Sequence, residues 1–155
     1  MTSIKTYDPR EVLVTIAGQI ISGFEPGTFL TVTPDQAPFS DDYGVDGEAA
    51  RWKPSNPFDT LTLTLRMSAL SNEVLSNLHL GDLATNSVVV PVLIQDLNSA
   101  GAIGPTTLVA ARAWINGPPP VQYGDSPLGR QWTIRMLNTL YNIMGIPVKD
   151  VLTSI

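Results

Sequence analysis

The side chains best suited to chemistry are few, because the chain has a single histidine and no cysteine. His79 lies in a predicted helix and would need a partner three or four residues away to act as a general base or ligand. Asp82 at i+3 is a weak candidate for that role, and no Gly-x-Ser-x-Gly nucleophile motif accompanies it. We therefore interpret His79 as a partly exposed helix histidine and nominate no catalytic residue. The lack of cysteine also excludes disulfides and thiolate metal sites.

Four acidic residues lie close enough in sequence to suggest a cation site: Asp41, Asp42, Asp46 and Glu48. No register of this segment supplies the acidic or amide residues of an EF-hand loop at its first, third and fifth positions and the glutamate at its twelfth. The glycines of the chain lack the Lys-Ser/Thr pair of a phosphate-binding loop. A solvated acidic loop is the favoured interpretation, and we predict no metal and no cofactor.

The aromatic residues fall into two sets according to their predicted surroundings. Trp114 and Trp132 lie in predicted strands and are expected in the core. The second set lies in the long loop 34–59 and consists of Phe39, Tyr43, Trp52 and Phe58. A disordered segment rarely holds so many aromatic residues, so we predict that these four anchor an ordered contact between molecules. The alternative, in which they fold back onto the same subunit, stays open.

The element that must position these residues most directly is the strand after the long loop, where polar and apolar residues alternate without a break. Successive side chains of a strand point to opposite faces of the sheet. Leu61, Leu63, Leu65 and Met67 are therefore predicted to face the core. The opposite, wet face is predicted to carry Thr60, Thr62 and Thr64, with Arg66.

Further strands are predicted from apolar runs separated by turn residues. The first two runs are joined by Ala17-Gly18, which favours a hairpin. Pro91 marks an edge position or a bulge in its strand, and residues 45–53 have the composition of a short strand. The other predicted strands are 12–16, 19–24, 28–33, 88–96, 107–115 and 130–136.

One helix and a C-terminal extension complete the predicted organisation. Ser71 as N-cap and Gly81 as C-terminal stop delimit a helix at about 72–81, too short to be stable unless it packs on the sheet. The result is a mainly β (α+β) domain over residues 1–136. Residues 137–155 form the extension, in which Leu140, Tyr141 and Met144 are compatible with a helical turn.

Composition limits the possible partners. A chain of 155 residues is expected to form one domain that buries about two-thirds of its unfolded surface. With 43% hydrophobic and only 15% charged residues, it is not disordered, and its weakly charged surface suggests partners. A net charge of −5 argues against binding of nucleic acid through its phosphates. The N-terminus lacks the pattern of a secretory signal, and no apolar run reaches the ~18 residues of a membrane anchor.

Several short segments, in their order and spacing, resemble a family of structural proteins of contractile-tailed bacteriophages, the inner tail-tube proteins (myovirus tail tube). The resemblance covers about residues 3 to 135. It departs from the family at Gly117-Pro118-Pro119-Pro120 and beyond Leu137. The matching segments include Ser3-Ile4-Lys5-Thr6-Tyr7-Asp8-Pro9, Gly44-Val45-Asp46-Gly47-Glu48, Ser71-Asn72-Glu73-Val74-Leu75-Ser76, Val90-Pro91-Val92-Leu93-Ile94-Gln95-Asp96 and Arg130-Gln131-Trp132.

The resemblance implies an antiparallel β-sandwich or half-barrel subunit with one flanking helix. It further implies hexameric rings that close into a ring β-barrel and stack into a hollow tube for DNA ejection. Such closure would remove exposed sheet edges. The threonines would line the lumen, acidic side chains elsewhere would repel DNA, and the long loop would bridge to the next ring. The implied partners are further copies of the chain, the tail sheath protein, and the baseplate and tail terminator proteins. The implied location is the virion tail, assembled in the host cytoplasm.

Other functions remain to be weighed against a tail-tube subunit. The first alternative is a tube-capping or baseplate-proximal ring protein of the same fold, which makes one ring and stops. From another class, a small β-sandwich carbohydrate-binding module would use Trp52 or Tyr43 as a stacking platform. A hydrolase comes last, because His79 has no visible set of partners. The expectation is therefore a structural protein and not an enzyme.

Overall fold

Ten strands and one α-helix make up the described part of the chain, which is residues 7–99 and 106–143 of the computed structural model. Short 3₁₀ turns lie at Pro9–Glu11 and Leu97–Ser99. The helix is α1 (Ser71–Thr85). The strands are β1 (Val12–Ile16), β2 (Gln19–Ile21), β3 (Leu30–Pro34), β4 (Ser40–Tyr43), β5 (Ala49–Trp52), β6 (Phe58–Leu65), β7 (Val90–Asp96), β8 (Thr106–Gly117), β9 (Arg130–Leu137) and β10 (Leu140–Asn142).

Eight strands form one antiparallel sheet in the order β2-β1-β7-β8-β9-β6-β3, with β10 beside the first half of β8. The sheet is open but strongly curled. Ile21 in β2 pairs with Val14, whereas Phe24, three residues later, pairs with Leu65 of β6 near the opposite edge. Three residues span at most about 11 Å, so the two edges of the sheet approach each other here. A mainly β, antiparallel fold with one helix is confirmed, and the curl agrees with the expected half-barrel.

The core lies on the concave face of the sheet, where the predicted alternation of β6 is confirmed. Leu61, Leu63 and Leu65 have no exposed surface. Leu63 pairs with Trp132 of β9, which is 3% exposed, so this tryptophan is a core residue as predicted. Trp114 is different, because it lies between the buried neighbours Ala113 and Ile115 and therefore points to the other face, where it is half-buried.

Helix α1 packs over this core. Leu75 is fully buried, Val74 and Leu78 pack beside it, and Trp132 Nε1 donates a hydrogen bond to Asn72 Oδ1 at 2.9 Å. These contacts tie the first half of the helix to β9. An amphipathic face packed on a sheet is what stabilises so short a helix.

Both predicted ends of the helix are wrong. Ser71 is the first helical residue and not the cap, and its buried Oγ accepts a hydrogen bond from Ser22 N at 2.9 Å. The helix also continues past Gly81 to Thr85 and ends at Asn86, whose φ is +55°. A helical glycine costs about 1 kcal/mol relative to alanine, which tertiary packing readily outweighs. Local propensity therefore placed the stop one turn too early.

Long-range pairing decides between the two alternatives for Pro91 and corrects the prediction for Leu140 and Tyr141. Pro91 lies in β7, a central strand, at a register shift between Val90 and Val92, so it marks a bulge and not an edge. Leu140 and Tyr141 belong to strand β10 and not to a helical turn, since they pair with β8. Met144 lies outside the described residues. The first part of the predicted extension thus joins the main sheet.

Candidate assembly surfaces

The long loop folds into a β-hairpin of its own. Strands β4 and β5 pair with each other in a separate two-stranded sheet, with Ser40 opposite Trp52 and Tyr43 opposite Ala49. Gly44 N donates to Glu48 O at 2.8 Å, and Gly47, with φ of +83°, completes the tight turn. The short strand predicted in this segment is confirmed. Its partner β4 was missed because two adjacent aspartates are unfavourable in strands.

Three of the four predicted contact residues are exposed on this hairpin. Phe39 and Trp52 are 50% and 51% exposed and Tyr43 is 79% exposed, with Val45 fully exposed at the tip. Phe39 and Tyr43 share one face with Arg51, whose guanidinium carbon lies 4.5 Å from the centre of the Phe39 ring. Trp52 occupies the opposite face. The hairpin therefore presents aromatic surface on both faces, and its contact role stays a prediction.

The fourth aromatic, Phe58, lies at the base of the hairpin and packs on its own subunit. Its ring meets Trp114 edge to face at 5.9 Å, and the Arg135 guanidinium carbon lies 5.1 Å from its centre. Phe58 O also accepts a hydrogen bond from Asp35 N at 3.1 Å, which closes the base of the hairpin. Phe58 is half-buried, so for this residue the alternative of folding back onto the same subunit describes the structure.

An ion pair fixes the same base. Arg135 donates to both carboxylate oxygens of Asp35, at 2.9 and 2.6 Å, and to Thr60 Oγ1 at 2.7 Å. Thr60 Oγ1 in turn donates to Asp35 Oδ1 at 2.9 Å. The hydrogen bonds from Arg135 and then from Thr60 lower the pKa of Asp35. We call Asp35, Phe58, Thr60, Trp114 and Arg135 the hairpin base; it fixes the hairpin at one end of β6.

The predicted wet face is present as a surface of threonines. Thr60, Thr62 and Thr64 point away from the core and are half-buried; threonines of the neighbouring strands lie beside Thr60 and Thr62, and Gln131 lies beside Thr64. Strand register places Thr33 opposite Thr60, Thr31 opposite Thr62, and Thr133 opposite Thr62 on the other side. The threonine face consists of Thr31, Thr33, Thr60, Thr62, Thr64 and Thr133. The four loop acids lie on the hairpin and not on this face.

An apolar groove of about 480 Å³ lies at the other end of β6. Phe24 and Phe29 stack in its wall with ring centres 4.6 Å apart, and Ile20, which is 65% exposed, borders it. The wall depends on Gly23, whose φ is +81° and at which a Cβ would lie 2.5 Å from Ala69 Cβ. No local pattern predicts this groove, because its lining residues come from the turn Pro9–Glu11, from β1 and β2, and from the β2-β3 connection.

The structure brings no catalytic set together around His79. Its Nδ1 is buried without a hydrogen-bond partner, and Asp82 Oδ1 accepts from Val88 N at 3.1 Å. Among the hairpin acids, Asp46 serves the turn, since its Oδ1 accepts from Glu48 N at 3.1 Å. Within residues 7–99 and 106–143, no cluster of three or more histidine or acidic side chains is placed to hold a metal. No helix in this part of the chain is long and apolar enough to cross a membrane.

Comparisons with known proteins find similar folds but no similar sequence. No protein-family model matches the chain, and no curated protein matches it either. The sheath/tube terminator of the extracellular contractile injection system PVC superposes with a TM-score of 0.57 at 13% identity, over 89% of this chain and 97% of that one. The tube-terminating cap of the anti-feeding prophage gives 0.58 and 13%, over 92% and 94%. A chain of the PVC sheath-tube complex gives 0.57 and 12%, over 88% and 91%. Along nearly its whole length, this chain has the fold of contractile injection system tail components.

Proposed function

We propose that this protein is a structural subunit of the inner tail tube of a contractile-tailed bacteriophage, a component of the virion without enzymatic activity. The observation that carries the proposal is the hairpin, whose Phe39, Tyr43 and Trp52 are half or more exposed. Aromatic side chains are enriched where proteins bind one another. The shared fold with contractile injection system components supports the same conclusion.

Six subunits form each ring in this proposal, and rings stack into a hollow conduit for DNA ejection. Strands β2 and β3 end the main strand order of the described sheet, and an open edge invites pairing with another chain. Closing six sheets into one ring β-barrel satisfies these edges. Interfaces within and between rings together should exceed the ~1,600 Å² of a standard protein interface.

The threonine face lines the conduit in this proposal. Hydroxyl groups offer a polar surface without charge, and Arg135 beside them is neutralised by Asp35. The net charge of −5 gives the chain no overall attraction for phosphate groups. DNA therefore passes without specific binding. The tail sheath protein surrounds the tube, baseplate and tail terminator proteins bound its ends, and assembly takes place in the host cytoplasm.

A tube-capping or baseplate-proximal ring of the same fold is the second candidate. The observation in its favour is the likeness to a sheath/tube terminator and to a tube-terminating cap. Such a protein makes one ring and stops. The two candidates differ in whether rings of this chain stack on one another.

A carbohydrate-binding module, the candidate from another class, would have to use either Trp52 or Tyr43 alone as its stacking platform. Because Ser40 pairs with Trp52 and Tyr43 with Ala49, Tyr43 and Trp52 point to opposite faces of the hairpin. Together they do not form one platform.

Negative-stain electron microscopy of the purified, untagged protein over a concentration series tests the proposal. Hollow tubes or stacked rings with six-fold end views are the expected result. Single rings at every concentration would favour the capping protein. Monomers at every concentration, also when a baseplate preparation is added to nucleate assembly, would contradict both.

A further inference from the structure

We propose that Asn116 is a site of spontaneous chemical modification, at which the side-chain amide is lost as ammonia and aspartate and isoaspartate are formed. The reactive pair is Asn116-Gly117, the only Asn-Gly sequence in the chain. The reaction consumes water and needs no cofactor, oxidant or enzyme. The chemical change does not depend on the proposed function, whereas its consequence for the conduit does.

The covalent step joins two neighbouring groups of the chain. The backbone nitrogen of Gly117 attacks Cγ of Asn116, so that an N–Cγ bond forms and the Cγ–Nδ2 bond breaks. Nδ2 leaves as ammonia and takes the proton of the Gly117 amide with it, which gives a five-membered succinimide. Water then opens the ring at Cγ, which gives aspartate, or at the backbone carbonyl carbon of residue 116, which gives isoaspartate. Because the reacting groups are held in adjacent residues, the attack is intramolecular and therefore favoured.

The glycine removes the main steric obstacle to this attack. With any other residue at this position, a Cβ beside the attacking nitrogen crowds the closing ring and restricts rotation of the backbone. Gly117 also lies in open space, since a Cβ built there would meet no heavy atom within 4 Å. The surroundings therefore leave room for the backbone to turn into the geometry of attack.

The pair lies where strand β8 is weakly held. Gly117 is the last residue of β8, and the pairing with β9 shifts register between Ile115 and Gly117. On the other side of β8, the pairing with β7 reaches only as far as Ala113. Local opening at the end of a strand costs much less free energy than global unfolding. Asn116 can therefore react in the folded protein.

The side chain of Asn116 is exposed, and within the part of the chain that the structure describes its amide makes no hydrogen bond. Other asparagines are held in place. Asn72 Oδ1 accepts from Trp132 Nε1 at 2.9 Å, and Asn98 Nδ2 donates to Asp8 O at 2.9 Å. An amide fixed in this way must break its hydrogen bonds before it can reach the next backbone nitrogen. Asn116 thus combines a reactive sequence with a mobile side chain.

The product carries a new charge beside the threonine face. Asn116 is exposed and its neighbour Ile115 is buried, so the asparagine side chain lies on the side away from the core. Gly117 pairs with Thr133, a member of the threonine face. Modification adds one negative charge to the net charge of −5. In the proposed tube, each modified subunit therefore adds a carboxylate at the margin of the conduit, where it repels DNA.

Peptide mapping by high-resolution mass spectrometry tests the site in the full-length protein. The folded protein and the same protein unfolded in guanidinium are incubated at mildly alkaline pH and sampled over several weeks. We expect replacement of NH by oxygen at Asn116, as separable aspartate and isoaspartate peptides. The rate in the folded protein should be within about tenfold of the rate in the unfolded chain. Asn72 should stay unmodified in the folded protein, because it is bonded to Trp132.

Gly117→Ala is the matched control, because the structure has space for its Cβ. This change should slow the reaction at Asn116 by about tenfold or more while leaving the fold intact. Asn116→Gln keeps an exposed amide but would have to close a six-membered ring, so residue 116 should stay unmodified over the same period.

Two results would overturn the inference. If Asn116 stays intact in the folded protein but reacts in the unfolded chain, the fold protects the pair. If Gly117→Ala reacts as fast as the natural chain, or if aspartate forms without isoaspartate, the route does not pass through ring closure at Gly117. Because this measurement reads one peptide and not assembly, either result leaves the proposed function intact. Electron microscopy of the unmodified chain tests that function separately.

Discussion

At the scale of single residues, a buried carboxylate holds the C-terminal strand in place. Asp59 is 6% exposed, and its Oδ1 accepts a hydrogen bond from the Tyr141 hydroxyl at 2.7 Å. Burial, and then the bond to Asp59, raises the pKa of Tyr141, so the phenol stays protonated and able to donate at any ordinary pH. Asp59 belongs to β6 and Tyr141 to β10, two strands that do not pair with each other. This bond therefore joins β10, the last described strand, to the core.

Replacing Tyr141 by Phe should destabilise the fold by about 1–3 kcal/mol, because a buried carboxylate then loses its hydrogen-bond donor. Urea denaturation measures the change. Tyr43→Phe is the matched control, since Tyr43 is 79% exposed, and it should be close to neutral. Equal stability of the two variants would show that the Tyr141 hydroxyl does not support Asp59.

The ion pair in the hairpin base should make stability depend on pH. The pKa of Asp35 is lowered in the folded state, so its contribution is fully present above the unfolded value of about 3.9 and is lost as pH falls through the folded value. Arg135→Gln should be less stable than the natural chain at pH 7. The difference should shrink as pH falls below about 3.9. Thermal unfolding from pH 2 to 7 measures both, and a difference independent of pH would mean that Arg135 acts through packing on Phe58 alone.

At the scale of elements, glycine has opposite roles in helix α1, at Gly81, and in the wall of the groove, at Gly23. Gly81 is inside the helix, and a Cβ there would meet Val88 Cγ2 at 3.6 Å, an ordinary contact distance. Gly23 has φ of +81°, and a Cβ there would overlap Ala69 Cβ. Helix α1 therefore tolerates Gly81, whereas the backbone at Gly23 requires a glycine.

Gly81→Ala should stabilise the protein by about 0.5–1 kcal/mol, because alanine restricts the unfolded chain and favours the helix. Gly23→Ala should destabilise it by more than that amount, because the backbone there is left-handed and space is lacking. Both changes are measured by thermal or urea denaturation. Destabilisation by Gly81→Ala would mean that the helix end cannot accommodate a methyl group beside Val88.

At the scale of the whole molecule, some aromatic residues are buried in the core and others are exposed on the hairpin. Trp132 is 3% exposed and bonded to Asn72, whereas Trp52 is 51% exposed on the hairpin. The first stabilises the sheet and helix. The second adds surface area that the isolated subunit leaves in water.

Trp52→Ala should weaken ring stacking much more than folding, since half of its surface stays exposed in the isolated subunit and it lies on the two-stranded hairpin outside the main sheet. Trp132→Ala is the contrasting variant and should cost about 3–5 kcal/mol of folding stability, as expected for truncation of a buried aromatic residue. Thermal unfolding and electron microscopy of both variants separate the two effects. Unchanged assembly with a large loss of thermal stability in Trp52→Ala would instead make Trp52 part of the core.

The sequence by itself determined the elements with a strong local pattern. The alternation around Leu61, Leu63 and Leu65 predicted a strand and its buried face, and Ser71 to Leu78 predicted the site of the helix. These features depend on side-chain period, which is a property of neighbouring residues. The loop aromatics Phe39, Tyr43 and Trp52 are exposed in the structure, and their role as anchors of a contact between molecules stays a prediction.

Tertiary structure alone decided which of these elements meet. Asp35 and Arg135 are 100 residues apart, and Asp59 and Tyr141 are 82 apart, so no local pattern relates them. The same holds for the placement of Phe58 in the hairpin base, for the pairing of β10 with β8, and for the groove at Phe24. Pairing between distant strands is set by the packing of the whole core, which overrides local preference at Gly81 and Pro91 alike. The aromatic residues of the hairpin were thus readable from the sequence, but the groove and its position at the opposite end of β6 depended on the fold.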